Sequence, residues 1–591
     1  MAPRGKREKM ATEHLLAEFP PVSTKAWEAA IARSLKGADY EKKLIWRTEE
    51  GLAVKPYYRA EDLKGLVCLD AAPGDFPYRR GVRATGNWRI CEEIDATDAE
   101  EANSAARSAV AEGAEGIAFS RPLIESGADL DVLLQNLGEV PVHFLHADEQ
   151  LIRLLMARLM RRRNAAEIST GCDATASLEF AAETIDAAPS VFVPFTIHGE
   201  AFEEAGATAA EEVGFALAAG VDFLAAITEC GVDTGRAAAA IVFGFAVGSN
   251  YFFQIAKLRA FRMVWARAVE SFGGKSEAAR ARIAARTSRW NKTIYDPHVN
   301  ILRATTEAMA AALGGADWVI VDPFDACYKK PDEASLRLAR NTQLLLKHEA
   351  WLNQAADAGG GSYYLETLTD FLAREGWKTM QAIEARGGFR KAQAEGAITQ
   401  ALEQSLAARE KAVLARRRAI VGTNQYANRT ERALDRIDEQ RMNETRRGAR
   451  VFEQLRLRTE RHAAAGGKTP LVLLAEIGDV KKRMARSIFA ANLFLCAGFD
   501  IATQRFKKAE EIAAAEGDLI VLCSADQDYA LLAAELMPRL KALGRKTPVI
   551  AAGNPENAAE LAATGIAEFV HMGSNPVEVL ATWQQKLGIT D

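Results

Sequence analysis

The chain has 591 residues, of which 49% are apolar and 26% charged, and its net charge is only −5. That balance is ordinary for a soluble globular protein and gives no reason to expect nucleic acid or a membrane surface as partner. No run reaches the roughly 18 apolar residues of a membrane span, and the basic start MAPRGKREKM leads into no apolar signal segment, so a cytoplasmic protein of about two to four domains is expected.

Residues 1–50 read as an N-terminal helical arm: a basic tail, then short helices broken at Phe19-Pro20-Pro21-Val22-Ser23. Trp27, Ile31 and Leu35 form an amphipathic stripe able to pack on the same chain or on another subunit. From 51 to 400, short apolar runs alternate with longer helical stretches. Gly116–Ser120, Val140–Leu145, Val191–Ile197, Asp222–Ala226 and Trp318–Val321 read as strands, and Thr208–Ala219 reads as a helix. Strand-helix units repeated over about 300 residues favour an α/β fold with a (β/α)8 TIM-type barrel over an open sheet.

Residues 401–468 are rich in Arg and Glu, with Arg416-Arg417-Arg418, Arg446-Arg447 and Arg450 among few apolar positions. Interleaved acids and the lack of alternating aromatics argue against a nucleic-acid surface, so a helical linker with solvated or partner-facing helices is expected. Residues 469–591 then read as a doubly wound, flavodoxin-like domain. Leu471–Leu474, Asp518–Cys523, Pro548–Ala552 and Glu568–His571 are strand-like, Ala485 to Leu495 and Tyr529–Leu543 helical. Ligands in such sheets sit at the carboxyl ends of strands, so the loop Glu476–Met484 is where chemistry is expected.

Generic catalytic signals are weak. The seven cysteines, Cys68, Cys91, Cys172, Cys230, Cys327, Cys496 and Cys523, lack CxxC spacing and read as reduced core residues rather than metal or disulfide partners. Gly359-Gly360-Gly361 is not followed by Lys-Ser or Lys-Thr, so it is a turn and not a phosphate loop. Glu203 and Glu204 would point about 100° apart on a helix and make a poor acid/base pair. No Ser-His-Asp, Cys-His or HExxH arrangement is present.

Several separated blocks agree, in order, with one family. Phe76-Pro77-Tyr78-Arg79-Arg80-Gly81, Trp88-Arg89-Ile90, Glu204-Ala205-Gly206-Ala207, Gly248-Ser249-Asn250-Tyr251, Asp296-Pro297-His298, Ala339-Arg340-Asn341-Thr342-Gln343 and Gly360-Gly361-Ser362-Tyr363-Tyr364 stand in the barrel region. Val421-Gly422-Thr423-Asn424-Gln425-Tyr426 follows it, and Gly498-Phe499-Asp500 closes the first strand-loop-helix of the last domain. From about residue 76 to its end the chain resembles the B12-dependent acyl-CoA mutases of the methylmalonyl-CoA mutase family. The resemblance implies a barrel followed by a cobalamin-binding domain, with adenosylcobalamin radical chemistry interconverting methylmalonyl-CoA and succinyl-CoA.

The departures fall on the family's functional positions. Its cobalt-ligating loop reads Asp-x-His-x-x-Gly; here Lys481 or Arg483 stands in the histidine's place, depending on the end from which one counts. Both are protonated cations without a free lone pair, so the axial-ligand loop is degenerate. Counting from Trp88, the arginine of the family's Trp-Thr-Ile-Arg-Gln-Tyr strand becomes Cys91 and its substrate-covering tyrosine becomes Glu93. The histidine that touches the substrate carbonyl becomes Ala201. His198 lies three residues earlier and reads as structural or solvated rather than as a substitute. Ser524 and the later Gly553 and Gly573 fall where the family contacts the nucleotide tail of cobalamin, so a shape able to hold a tail is expected to remain.

These losses, on a retained scaffold, resemble a non-catalytic subunit of a two-subunit enzyme of this family. The resemblance implies no catalytic residue and no metal ligand in this chain, adenosylcobalamin carried by a homologous catalytic subunit, and acyl-CoA bound at the level of the complex. Arg286 and Ser288, in Arg286-Thr287-Ser288, are the weak candidates for holding a CoA phosphate, against the favoured reading of a solvated helix terminus. Two alternatives remain: a self-sufficient mutase acting on another acyl-CoA, and a non-enzymatic acyl-CoA-binding scaffold.

Overall fold

A computed structural model describes residues 19, 21–161, 166–173 and 177–590, so the basic tail 1–10 and Pro20 lie outside the described residues. The chain divides into two compact units, residues 1–60 and 61–591. In the first, helix α1 (Thr24–Ser34) is capped by the Ser23 hydroxyl, which accepts from the Ala26 N–H. None of its residues is buried. Trp27 stacks on Tyr57 at 5.3 Å between ring centroids, and the Arg59 guanidinium lies over the same indole.

The second unit opens with a closed barrel of eight parallel strands. They are β1 (Arg89–Ile94), β2 (Gly116–Phe119), β3 (Val142–Phe144), β4 (Ile168–Asp173), β5 (Phe192–His198), β6 (Ile241–Val247), β7 (Arg282–Thr287) and β8 (Trp318–Ile320). The ring closes where Trp318 pairs with Arg89 on one side and Ala284 on the other. β6, Ile-Val-Phe-Gly-Phe-Ala-Val, is buried at every position, as expected of a parallel strand covered on both faces.

One expected strand is overturned. Asp222–Ala226 lies inside helix α2 (Ala209–Glu229), which starts at a capping box between Thr208 and Glu211. Sixteen of its 21 residues are buried, because it packs against both α3 (Tyr251–Ser271) and α4 (Tyr363–Glu384). A helix apolar all round looks, over five residues, the same as a buried strand. Conversely β4, β6 and β7 are not among the expected strands: Ile-Ser-Thr-Gly-Cys-Asp and Arg-Ile-Ala-Ala-Arg-Thr carry few large apolar residues, and β6 follows directly on an alanine-rich helical run.

The retained motif blocks serve the scaffold. Arg79 of the Pro-Tyr-Arg-Arg-Gly segment is fully buried and donates to Glu366 Oε2 at 2.7 Å. Arg259 of α3 reaches Glu366 Oε1 and Asp357 Oδ1, each at 2.9 Å, while Arg80 meets Asp357 at 3.1 Å. The Gly361 N–H donates to the same Glu366 carboxylate at 2.9 Å. Three guanidiniums and two carboxylates thus clip the segment before β1, helix α3 and the glycine turn into one body.

The Arg-rich zone also differs from expectation. Arg409, Arg447 and Arg456 are buried rather than solvated: Arg447 pairs with Glu453 at 2.7 Å, and Arg456 lies over the Tyr295 ring at 4.1 Å. They bind helix α5 (Arg450–Ala464) to the barrel loops, where the Glu453 carboxylate accepts from the Ile294 N–H at 2.8 Å.

After α5 comes a five-stranded parallel sheet of β9 (Leu471–Glu476), β10 (Asp500–Arg505), β11 (Leu519–Cys523), β12 (Val549–Ala552) and β13 (Ile566–Val570), in spatial order β10-β9-β11-β12-β13. That is the flavodoxin-like order, with its switch point between β9 and β11. All seven cysteines are free thiols. No described helix is long and apolar enough to cross a membrane.

Burial would push the Glu366 carboxyl up, but Arg259, the Gly361 amide and Arg79 outweigh it and hold it down at about 2. Its ionised form therefore stabilises the fold above the unfolded value of about 4.3, and that contribution fades as pH falls towards 2. Glu366→Ala leaves the buried Arg79 guanidinium without a carboxylate and Arg259 with Asp357 alone, and is expected to cost about 3–5 kcal/mol, read as a lowered denaturation midpoint of the full chain at pH 7.

Candidate functional site

In a barrel of this kind, chemistry belongs at the carboxyl ends of the strands. Here the axis beneath that end is filled. Cys91, Ala118, Val193, Val242, Trp318 and Ile320 pack together inside the ring, with Leu145 and Ala284 against them. His143 of β3 adds a tilted ring contact to Trp318 at 5.9 Å, and its Nδ1 lies 2.8 Å from the Ser169 hydroxyl. Burial pushes this imidazole down to about 4, so it is neutral. A void of about 20 Å³ near the amino ends of the strands is lined by residues including Cys91, His143 and Trp318.

The open end is closed by charge. β1 brings Glu93, β7 brings Arg286, and the loop after β8 brings Asp322. Arg286 pairs with Glu93 and donates to Asp322 Oδ1 at 2.8 Å, and Arg289 Nε adds a bond to Asp322 Oδ2 at 3.3 Å. Burial favours the neutral acid at Asp322, but the guanidiniums of Arg286 and Arg289 prevail and hold its carboxyl well below the usual range. Arg286 is therefore no solvated helix terminus: it ends a barrel strand and is spent on two carboxylates. Ser288 is buried with it, and its hydroxyl donates to Glu203 at 3.2 Å. Glu203 in turn pairs with Arg409 at 2.7 Å. Arg286 Nε and Nη2 and the Ser288 hydroxyl are thus all held by carboxylates of the same chain.

His198 ends β5. Its Nδ1 lies 2.9 Å from Glu200 Oε1 and its Nε2 lies 3.1 Å from the Gly171 carbonyl, so both ring nitrogens face acceptors. Burial alone would lower its pKa; the Glu200 carboxylate overrides that and lifts it to about 9. A Cβ on Gly244 of the neighbouring strand would lie 2.0 Å from Glu200 Oε2, so only glycine leaves room for this carboxylate. Both partners of His198 belong to this chain, one on the neighbouring strand β4 and one two residues on. Above these groups sits a cavity of about 260 Å³, bordered by Asp95, Arg121, Arg289, Phe324, Cys327 and Arg441. It is roofed by Arg441, which pairs with Asp95 at 2.8 Å.

The second candidate region is the switch point of the C-terminal sheet. The expected loop Glu476–Met484 is largely helix: α6 runs Val480–Phe494, five residues earlier than its apolar pattern suggests. The cause is Asp479, whose carboxylate accepts from the Lys482 N–H at 3.0 Å and caps the helix. Lys481 is consequently an exposed first-turn residue, while Arg483 folds back to donate to the Gly478 carbonyl at 2.9 Å. Gly478 has φ +81°, and a Cβ there would meet Ser524 Oγ at 2.7 Å, so the turn is tight against the next strand end.

Arg486, one helical turn on, closes the crevice between the strand ends. It pairs with Asp526 at 2.8 Å and donates to the Tyr529 hydroxyl at 2.8 Å and to the Ser524 carbonyl. Tyr529 donates to the Ala552 carbonyl at 2.6 Å. Ser524 donates to Asp528, also at 2.6 Å. An open groove of about 760 Å³ survives beside it, lined by Gly478, Lys507, Lys508, Ser524, Leu531 and Arg539. A protein ligand to the cobalt of cobalamin must be an unprotonated nitrogen, and this loop offers two ammoniums, Lys481 and Lys482, and one guanidinium, Arg483. The residues present do not fit the cofactor. Among the described residues, no group of three or more His, Cys, Asp or Glu side chains could hold a metal ion.

Arg486, Tyr529 and Asp322 escaped the sequence reading. A Glu at the end of β1 and an Arg at the end of β7 hint at a pair only once both strands are known to share a ring.

Comparison with known proteins bears on the same residues. The family described as methylmalonyl-CoA mutase matches residues 47–142 and 167–498. The methylmalonyl-CoA mutase small subunit of Porphyromonas gingivalis (strain ATCC BAA-308 / W83) is 37% identical, over 98% of this chain and 99% of its own. The small subunit of Streptomyces virginiae is 31% identical over 97% and 98%. The large subunit of the same organism is 30% identical over 76% of this chain and 67% of its own.

Because the His198 pKa is raised, its charged form stabilises the fold fully below the unfolded value of about 6.5, and the contribution is lost as pH rises through 9. The stability difference between wild type and His198→Gln should therefore be largest near pH 6 and shrink to a small residue by pH 10, as urea midpoints across that range will report.

Proposed function

From the premise that this chain belongs to the methylmalonyl-CoA mutase family, whose reaction is an isomerisation, we propose that it is the small, non-catalytic subunit of a two-subunit mutase. In this reading a homologous catalytic subunit carries adenosylcobalamin and the acyl-CoA and interconverts methylmalonyl-CoA and succinyl-CoA. This chain supplies a paired barrel in the cytoplasm.

One observation carries the reading: the mouth of the barrel is closed by the Glu93–Arg286–Asp322 ion pairs above a packed axis. Pockets that take a drug-sized ligand run to roughly 300–1,000 Å³, and a coenzyme A thioester is longer than most such ligands. The mouth cavity of about 260 Å³ could not enclose the reacting end of one with the rest of the molecule threaded down the axis. The cationic loop at Lys481 and Arg483 supports the same conclusion from the cofactor side, since neither side chain can bind cobalt. Near-full-length similarity to two proteins named small subunits fits a chain kept for its scaffold.

A pseudo-subunit would act by mass action. Whatever binds the folded partner and not its unfolded chain stabilises it, and two similar barrels can bury a large, nearly two-fold interface.

The purified full chain, mixed with adenosylcobalamin, should show no corrinoid retained after gel filtration and no turnover of methylmalonyl-CoA. Combined with the homologous catalytic subunit, it should raise that subunit's thermal midpoint by several degrees. Turnover by the isolated chain would favour a self-sufficient mutase instead. Tight calorimetric binding of an acyl-CoA without turnover would favour the scaffold reading.

A further inference from the structure

The cavity above the barrel mouth is too small for a coenzyme A thioester, yet it is a built chamber. The ion pairs of Arg286 with Glu93 and Asp322 lie beneath it. Its roof is the short helix Glu439–Glu444, pinned where Arg441 Nη2 donates to Asp95 Oδ2 at 2.8 Å. At about 260 Å³ it has room for about eight or nine waters at roughly 30 Å³ each, just under the size at which drug-sized pockets begin. The volume therefore suits a molecule of a few carbons.

The cations that line the chamber differ in what they still offer. Lys292 has its three protons directed at the Ser288 carbonyl, Asn291 Oδ1 and Glu307 Oε2, at 2.7, 3.0 and 2.6 Å. Arg289 is less fully used. Its Nε donates to Asp322 Oδ2 at 3.3 Å, but among the described residues neither Nη1 nor Nη2 donates a hydrogen bond. Glu93 Oε2 stands 4.0 Å from Nη2, beyond bonding reach. The side chain follows the end of β7, where a barrel places its ligands, and it keeps 36% of its surface accessible there. Two parallel N–H groups on a permanently charged plane make a fork that matches one carboxylate.

The walls select among anions. Phe324, stacked on His298 at 5.2 Å between ring centroids, lines the chamber with Pro323, Cys327 and Leu336. Inorganic phosphate would leave this hydrocarbon wall unused. The carboxylates Glu93, Asp95 and Asp322 are each already paired with an arginine, so they do not call for a cation. Exposed Arg121 and Lys330 face exposed Glu101 and Glu444 around the same chamber, and these four charges cancel. What remains is one open guanidinium edge beside an apolar wall.

We propose that this chamber binds a short-chain organic carboxylate of about three to five carbons. Its carboxylate would sit on Nη1 and Nη2 of Arg289 and its hydrocarbon against Phe324 and Leu336. The site needs neither cobalamin nor a coenzyme A arm. It holds whether or not the chain is a small subunit, because every group it uses belongs to this barrel and its roof.

Calorimetry on the full chain with butyrate tests the site, with n-butylammonium and inorganic phosphate compared at equal ionic strength. Butyrate should bind with a dissociation constant of about 1 mM or lower, and butylammonium should not bind. Arg289→Gln should weaken butyrate at least tenfold; Asp322 keeps Arg286, so the thermal midpoint should move little. Ala105→Phe alters an exposed position of the chamber wall, on the helix Ala99–Ala111, and fills space without touching the guanidinium. It too should weaken butyrate at least tenfold, which keeps the test open even if the arginine variant folds poorly. No binding by the wild type at tens of millimolar butyrate would overturn the site. So would butyrate binding within twofold of wild type in both variants. Phosphate binding as tightly as butyrate would overturn the ligand class. The catalytic subunit takes no part in these measurements, so failure here leaves the subunit reading standing.

Discussion

A charge withdrawn from water has to meet an opposite charge or cost several kcal/mol, and at its mouth this barrel meets that condition from within. Glu93, Arg286, Asp322 and Arg289 neutralise one another across three strand ends at the mouth. Lys257 meets Glu212 at 2.6 Å inside the wall, and Lys292 meets Glu307 at the same distance beneath the mouth. An enzyme that handles a charged substrate keeps some of its buried ions waiting for that substrate. Here Arg286 and Arg289, at the end of β7, are paired with Glu93 and Asp322 of the same chain. Removing one partner would leave the other stranded, so the closure resists being undone by single substitutions.

The same logic separates the two kinds of family motif. Blocks that clip segments together, such as Arg79 and Arg80 on Glu366 and Asp357, depend on geometry alone and work whether or not a ligand is bound. Of the positions where the family's substrate-facing residues stand, Cys91 is packed inside the ring, Glu93 pairs with Arg286 and Ala201 is exposed. At the C-terminal domain the change goes further. An aspartate that caps a helix converts loop into α6, and Arg486 then lies where it can span the strand ends and bond Asp526, Ser524 and Tyr529. The loop offers no neutral nitrogen and Arg486 spans the strand ends, while an open groove remains beside Ser524.

The Arg-rich zone after the barrel shows why composition alone misleads. Its arginines look solvated in a sequence of alternating charge, yet Arg409, Arg447 and Arg456 lie in the interface between α5, the barrel loops and Trp290 or Tyr295. Guanidinium is weakly hydrated and stacks on aromatic rings, so it can be buried where lysine could not. Exposed Val480, Met484 and Ile488 on α6 are the mirror case: apolar residues that stand outside.

The sequence by itself determined the alternation of strands and helices, the order of the two domains' folds and the lack of any lone pair at Lys481 and Arg483. These follow from local periodicity and from the chemistry of single side chains, and both are carried by neighbours along the chain. Only the tertiary structure decided that Asp222–Ala226 is helix, that Arg286 reaches Glu93 across the ring, that Arg486 fills the crevice, and that Val480, Met484 and Ile488 point outward. Each of these depends on which elements become neighbours when the barrel closes or the sheet stacks. Contact across a closed ring is set by the packing of the whole, and no window of consecutive residues contains it.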